Sequence, residues 1–412
     1  MTVQTASNTS VGQWRTPIVL VMCGCAIAMI SFGPRSAAGF FLTPMSQANH
    51  WGRDVFAFAL ALQNLLWGVG QPVAGAIADR FGAPRVLAAG AVLYGLGLYL
   101  MSASTTPLML TLSAGLLVGF GLSGCAFTIV VGALGKLVPP EWRSTAFGFG
   151  TAAGSFGQFL FSPLAVALIG AVGWQATLWT FAALMTFIVP LSLVLSVPRT
   201  SAQAASAPAQ SFAHALREAF AHRSYVLLVI GFFTCGFQLG FTTVHLPSYL
   251  LDRGLSADIG GWTLATIGLF NIVGSVSSGY LGNVMPKRYI LSTIYFCRAL
   301  SIAAFVLLPA SPAITLIYGA VTGLLWLSTV PPTSGLVVVM FGTRWLAMLF
   351  GFAFLSHQIG SFIGVWLGGA LFDRFGTYDP VWWLSVALGV ASAIVNLPIV
   401  EEPVERPAAA AV

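Results

Sequence analysis

Four basic side chains lie within long apolar stretches of this sequence: Arg35, His245, Arg298 and His357. The eleven acidic residues, from Asp54 to Glu405, all fit into the polar connections between those stretches. An ionised group held at bilayer depth costs roughly 3 kcal/mol or more and normally faces a cavity or a partner. With no carboxylate in reach, the partner expected for these cations is a ligand. A guanidinium grips a carboxylate through two parallel N–H···O bonds, so the chemistry anticipated is recognition of a small organic anion.

Arg35 and Arg298 are the expected charge donors, each with a competing role. The stem of Arg35 would otherwise snorkel to the nearer interface, and Arg298 would otherwise hold backbone carbonyls of neighbouring helices. His357, with Ser361 one helical turn on, is the histidine expected in a cavity. His245 stands beside Leu246-Pro247, where a helix-end role competes with a substrate role. Thr234, Gln238, Thr242 and His245 follow steps of four, four and three, a helical stripe on which Gln238 is expected to face a cavity. Gln158, on the stripe Ser155, Gln158 and Ser162, is expected at a helix interface, and Asn271 is a further polar candidate. A cotransported proton would travel on His357, on His245 or on the cargo itself.

Helices in lipid must carry these groups. Of 412 residues, 57% are hydrophobic and 7% charged, where a soluble domain carries roughly a quarter charged residues. Apolar runs of bilayer-crossing length are predicted near 17–43, 54–78, 85–104, 107–134, 145–170, 174–196, 225–250, 258–282, 289–309, 313–340, 346–371 and 380–400, numbered spans 1 to 12. Twelve of the seventeen basic residues then share one face, three share the other, and two are buried in spans. By the positive-inside rule both termini are cytoplasmic, in an inner (plasma) membrane. The formal charge of +6 therefore reads as membrane topology; it forms no basic face for nucleic acid. Residues 197–224 are expected to form a cytoplasmic linker whose end, with Phe212, Leu216 and Phe220 at helical spacing, lies on the inner leaflet. It separates a first half, 1–196, from a second, 225–412.

Sliding the sequence by about 203 residues puts Gly33 on Gly236, Pro44 on Pro247, Phe147-Gly148-Phe149 on Phe350-Gly351-Phe352 and Gly157 on Gly360. A near-constant offset across separate spans marks a parallel six-helix repeat, with a ligand site expected between the halves near the midplane. Breaks at Gly33-Pro34 and Pro331-Pro332 would free backbone groups there or merely bend the helices.

Gly75-Ala-Ile-Ala-Asp79-Arg80-Phe-Gly82-Ala-Pro-Arg85, between spans 2 and 3, resembles the G-x-x-x-D-R-x-G loop of the major facilitator superfamily. That resemblance implies the twelve-helix, all-α membrane fold, with this loop as a conformational latch: Gly75 permitting close helix approach, Asp79 pairing at the inner face. A degraded copy lies at Gly279 to Arg288. Phe32-Gly33-Pro34-Arg35-Ser36, Ala153 to Gly157 and Leu371 to Tyr378 are similar to the monocarboxylate transporter group and its bacterial relatives, including the oxalate/formate antiporter. In that group the place of Arg35 holds a lysine involved in substrate and proton binding, and His357 stands where the antiporter has an anion-binding lysine. An aspartate and an arginine of the group's span 8 align with Asn271 and Ser275, so that proton and carboxylate pair is absent.

The reading is a secondary transporter of small organic anions, monocarboxylate-like, working by alternating access as a monomer. An oxalate/formate-type antiporter, an exporter of amphiphilic compounds and a ligand-sensing membrane protein are the alternatives. Without a G-x-x-x-x-G-K-[ST] loop or a positioned acid at depth, neither ATP drive, a cofactor nor enzymatic catalysis is expected. The five cysteines lack metal-ligand spacing and are expected to pack.

Overall fold

A computed structural model describes residues 15–196, 212–342 and 346–404. Its regular structure is helical throughout the described residues. Ten helical stretches are long and apolar enough to cross a membrane. One of them folds back at Gly173 (φ 83°), so it supplies spans 5 and 6. Arg53–Phe81 supplies span 2, completing the expected twelve.

Sequence chemistry explains the interruptions. Span 1 runs as Pro17–Ser36, tightens into a 3-10 turn at Ala38–Phe41 and resumes as Leu42–Asn49. Pro34 starts the disturbance because its ring cannot donate to the helical ladder. Span 10 stops at Leu325 and restarts at Val330, ahead of Pro331-Pro332, leaving carbonyls without helical partners. The linker ends in the helix Phe212–Ala221, while 197–211 lie outside the described residues. Its Phe220 ring packs on Tyr225 and Phe352, so this helix docks part of its apolar face on spans 7 and 11.

The repeat is visible in the helix crossings. A Cβ added to Gly33 would strike the Phe161 ring, and one on Gly157 would lie 2.7 Å from the Met29 carbonyl oxygen. In the second half, Gly236 lies directly against the His357 carbonyl and Gly360 against that of Phe233. Spans 1 and 5 thus cross as spans 7 and 11 do, each on two glycines. Adding even one methyl there forces backbone apart. Gly236→Ala is therefore expected to cost about 1–3 kcal/mol of stability, read as a lower thermal midpoint in detergent, whereas Gly75→Ala, whose added Cβ would meet nothing within 4 Å, is expected to leave the midpoint unchanged.

The halves meet where span 2 packs on span 11 and span 5 on span 8. Towards the face opposite the chain ends, a Cβ added to Gly39 would strike the Thr243 carbonyl, one added to Gly369 would lie 2.8 Å from the Arg53 carbonyl oxygen, and the Thr43 and Ser248 hydroxyls are 3.0 Å apart. Towards the terminus-bearing face, a Cβ added to Gly75, Gly132, Gly148, Gly154 or Gly351 would meet nothing within 4 Å beyond its own helix. The halves are thus in direct contact on the far face. In this conformation no helix approaches Gly75 closely.

Candidate functional site

Arg35 stands where span 1 turns from α-helix to 3-10 helix, with its guanidinium directed at span 2. One Nη donates to Asn64 Oδ1 at 3.0 Å, and the guanidinium carbon sits 4.7 Å from the Trp67 ring centroid and 5.4 Å from that of Phe32. Aromatic faces attract a cation without neutralising it. The Asn64 amide is held by its own donation to the Leu60 carbonyl at 2.9 Å. Its backbone carbonyl accepts from Gln358 Nε2 of span 11 at 3.0 Å, and His357 Nδ1–H donates to Gln358 Oε1, also at 3.0 Å. Arg35, Asn64, Gln358 and His357 therefore form one polar chain that crosses from the first half to the second. His357 stacks flat against Phe354, 5.7 Å between centroids, and Phe354 in turn meets the Trp67 edge.

Arg298, Gln238 and Asn271 lie elsewhere, around the break in span 10. Arg298 is 1% exposed and donates to Gln238 Oε1 at 3.1 Å, to the Trp326 carbonyl at 2.9 Å and to the Leu325 carbonyl. A cation at a helix C-terminus satisfies exposed carbonyls and favours the negative end of the dipole. Gln238 passes the tie on to the Ser385 carbonyl of span 12 at 2.8 Å. Asn271 accepts from the Leu327 amide at 2.9 Å and donates to Ser155 of span 5 at 2.9 Å. In this conformation the three side chains are tied to protein atoms, although the buried Arg298 Nε has no hydrogen-bond partner among the described residues. The stripe of span 7 runs along span 12, where Ser392 donates to Thr234 at 2.6 Å. Gln158 bridges spans 5 and 8 through the Leu264 carbonyl at 3.2 Å.

His245 belongs to the closed far face. Its Nε2 donates to the Val365 carbonyl at 2.8 Å, and its Nδ1 accepts from Tyr378 at 3.2 Å. The Tyr378 oxygen accepts from Arg53 at 2.9 Å. Arg53 also makes a two-pronged pair with Asp252 of span 7, at 2.6 and 2.7 Å, and lies 3.9 Å from the Phe372 ring centroid. Asp373 caps span 2 by accepting from the backbone amides of Arg53 at 3.1 Å and Asp54 at 2.8 Å. Three elements of the second half thus clasp the start of span 2.

The anticipated latch at the other face is more loosely held. Gly82 has φ 95°, a conformation that requires glycine at the turn into span 3. Arg85 donates to the Phe81 carbonyl at 3.3 Å, and Arg80 lies over the Phe81 ring at 5.3 Å. The Asp79 side chain lies outside the described positions.

Sequence reasoning missed Asn64, Gln358, Trp67, Arg53, Asp252, Asp373 and Tyr378 as parts of these networks. The last two stand within the Leu371 to Tyr378 stretch, so a signal existed for them. Beside Arg35, a cavity of about 20 Å³ opens between spans 1, 2, 3, 4 and 6, with Gln63 and Tyr94 as its other polar lining residues.

Twelve spans in two crossing-equivalent halves, closed at one end around a charged clasp, are the geometry of an alternating-access carrier. The sequence pattern of the Major Facilitator Superfamily matches residues 24–364. The chain belongs to that superfamily. It is a multi-pass membrane transporter and not an enzyme. The MFS-type transporter YcxA of Bacillus subtilis is 27% identical over 90% of this chain and 92% of its own length. Monocarboxylate transporter 11 of Homo sapiens is 25% identical over 92% of this chain and 82% of its own length, and monocarboxylate transporter 13 of Bos taurus is 26% identical over 80% and 77%. Among solved structures, a bacterial homologue of the human lysosomal transporter Spinster in its inward-facing, occupied conformation superposes with TM-score 0.74, at 12% identity, covering 93% of this chain and 97% of that one. The D-xylose-proton symporter does so with TM-score 0.67 at 16% identity, covering 94% and 98%.

Proposed function

We propose that this facilitator carries small organic anions, monocarboxylates foremost, and that Arg35 is the charge that receives them. The observation that carries the reading is a guanidinium with aromatic walls, one amide oxygen as acceptor, and no carboxylate away from the span ends among the described residues. Such a group is half-satisfied, and an arriving carboxylate completes it through the remaining N–H donors. The similarity to proteins named monocarboxylate transporters supports the same cargo class.

Arg298, Gln238 and Asn271 then act as scaffold, fixing the broken span 10 so that spans 7, 8 and 9 move as one body. His357 is tied to Arg35 through Gln358 and Asn64, so cargo arrival on one half is felt on the other. His357 donates through Nδ1 to Gln358 and also meets the Cys235 thiol of span 7, so it is held on both sides at that junction. The termini are cytoplasmic, the membrane is the inner one, and the conformation described is open inward; the working unit is a monomer.

Counterflow in proteoliposomes loaded with unlabelled anion and offered labelled lactate, pyruvate, formate or oxalate, at two pH values, tests the cargo class. Accumulation of at least one of these labels above the empty-liposome level is the expected result. Retention of none of them, in liposomes that contain folded protein, would remove the organic-anion reading and leave the superfamily assignment intact.

A further inference from the structure

The cavity beside Arg35 has about 20 Å³ of space for water-sized occupants, enough for roughly one small sphere. A carboxylate with a carbon tail does not fit it in this conformation. Three groups nevertheless face it with polar capacity to spare. Arg35 makes a single hydrogen bond, to Asn64, among the described residues. Tyr94, 1% exposed, is the titratable neighbour that interacts electrostatically with Arg35. Gln63 is 5% exposed. Neither the Tyr94 hydroxyl nor the Gln63 amide has a hydrogen-bond partner among the described residues, and neither is sealed away from the cavity space.

A guanidinium, a phenol and a primary amide share one capability: all three donate. The rest of the wall is apolar, and it includes Phe41 and Phe181, packed edge to face at 6.2 Å between centroids, so positive ring rims are also present. A single water would satisfy some donors but leave the positive charge unbalanced in a low-dielectric surround, which is the costly component. A monatomic anion answers both needs in the space of one sphere.

We propose that this cavity is a halide site, holding one chloride against Arg35, Tyr94 and Gln63 as the counterion of the unloaded carrier. The chloride balances the guanidinium while no cargo is bound and leaves when a carboxylate arrives. That exchange step rests on the cargo reading above; the binding itself does not.

Purified full-length protein in detergent is titrated with sodium chloride, sodium bromide or sodium gluconate at constant ionic strength, and the thermal midpoint is followed. The expected result is a saturable rise with chloride and bromide and none with gluconate. Tyr94→Phe and Gln63→Leu, each removing one donor while keeping shape, are expected to move the half-saturating chloride concentration up about tenfold. Equal responses to chloride and gluconate would mean that the cavity holds water only, and would overturn the proposal. A halide-specific rise left untouched in both variants would overturn it too, by placing the ion elsewhere. The measurement involves no transport, so chloride binding with failed counterflow sinks only the cargo reading, and the reverse outcome sinks only the halide site.

Discussion

Replacing Arg35 by glutamine is expected to cut carboxylate counterflow about a hundredfold while the purified protein keeps its thermal midpoint within a few degrees. Charge-assisted hydrogen bonds contribute roughly 1.5–3 kcal/mol, and the upper half of that range corresponds to a loss of about two orders of magnitude. The fold tolerates the change because Arg35 has a single hydrogen bond to lose among the described residues, to Asn64, and glutamine keeps a donor for it. Arg298→Gln makes the opposite pattern. Its guanidinium holds Gln238 and two carbonyls at the break of span 10, and the shorter amide cannot reach all three. Leaving buried acceptors unpaired costs about 1–3 kcal/mol for each, so this variant is expected to lose several kcal/mol of stability and to be recovered in low yield. The pair of measurements separates a cargo contact from a scaffold bond. If Arg35→Gln were instead the unstable variant and Arg298→Gln a stable one with abolished counterflow, the two assignments would be exchanged.

Much of this architecture is legible in the residues because the bilayer imposes so few solutions. A chain with 7% charged residues must cross as helices, and the glycine offset that relates the halves reappears as matching collisions at Gly33 and Gly236. The site is legible only as charge. A guanidinium inside a span looks the same on the page whether its partner is a ligand or a carbonyl, so Arg35 and Arg298 could not be told apart before the break at Leu325 was placed beside one of them. Pro331-Pro332 announced a break without saying which carbonyls it would free. Asn64 and Gln358 were hidden for a different reason. A lone amide in a span has no periodic signature, and its function here depends on two helices from different halves meeting at Gly68, where an added Cβ would lie 2.7 Å from the Gln358 Cβ. At Gly75 the motif implies a contact that belongs to a conformation other than this one, where the glycine has open space around it.

Removing the Arg53 side chain is expected to release the far face. Arg53 is the shared element of that closure: it pairs with Asp252 of span 7, donates to Tyr378 beyond span 11, and packs over Phe372. The ion pair is partly solvated, its side chains 17% and 34% exposed, so on its own it contributes no more than about 1 kcal/mol. The Tyr378 bond adds about 1 kcal/mol, and both exist only while the halves touch. Arg53→Ala therefore shifts the balance between the two openings by roughly ten- to thirtyfold towards the state open on the far face. Thr43 reports on it, because its hydroxyl meets Ser248 across the same seam, 3.0 Å away. In a variant carrying Thr43→Cys and no other reactive thiol, labelling by an impermeant maleimide from the far side is expected to quicken by about that factor when Arg53→Ala is added. Tyr378→Phe, which keeps the ion pair and removes the hydroxyl relay to His245, is expected to give the smaller part of the effect. Since the same tie reaches a buried histidine, loss of Tyr378 also leaves His245 Nδ1 without its donor. Unaltered labelling in Arg53→Ala would mean that the halves are held shut by the glycine contacts at Gly39 and Gly369 alone, and that the charged clasp follows the motion without setting it.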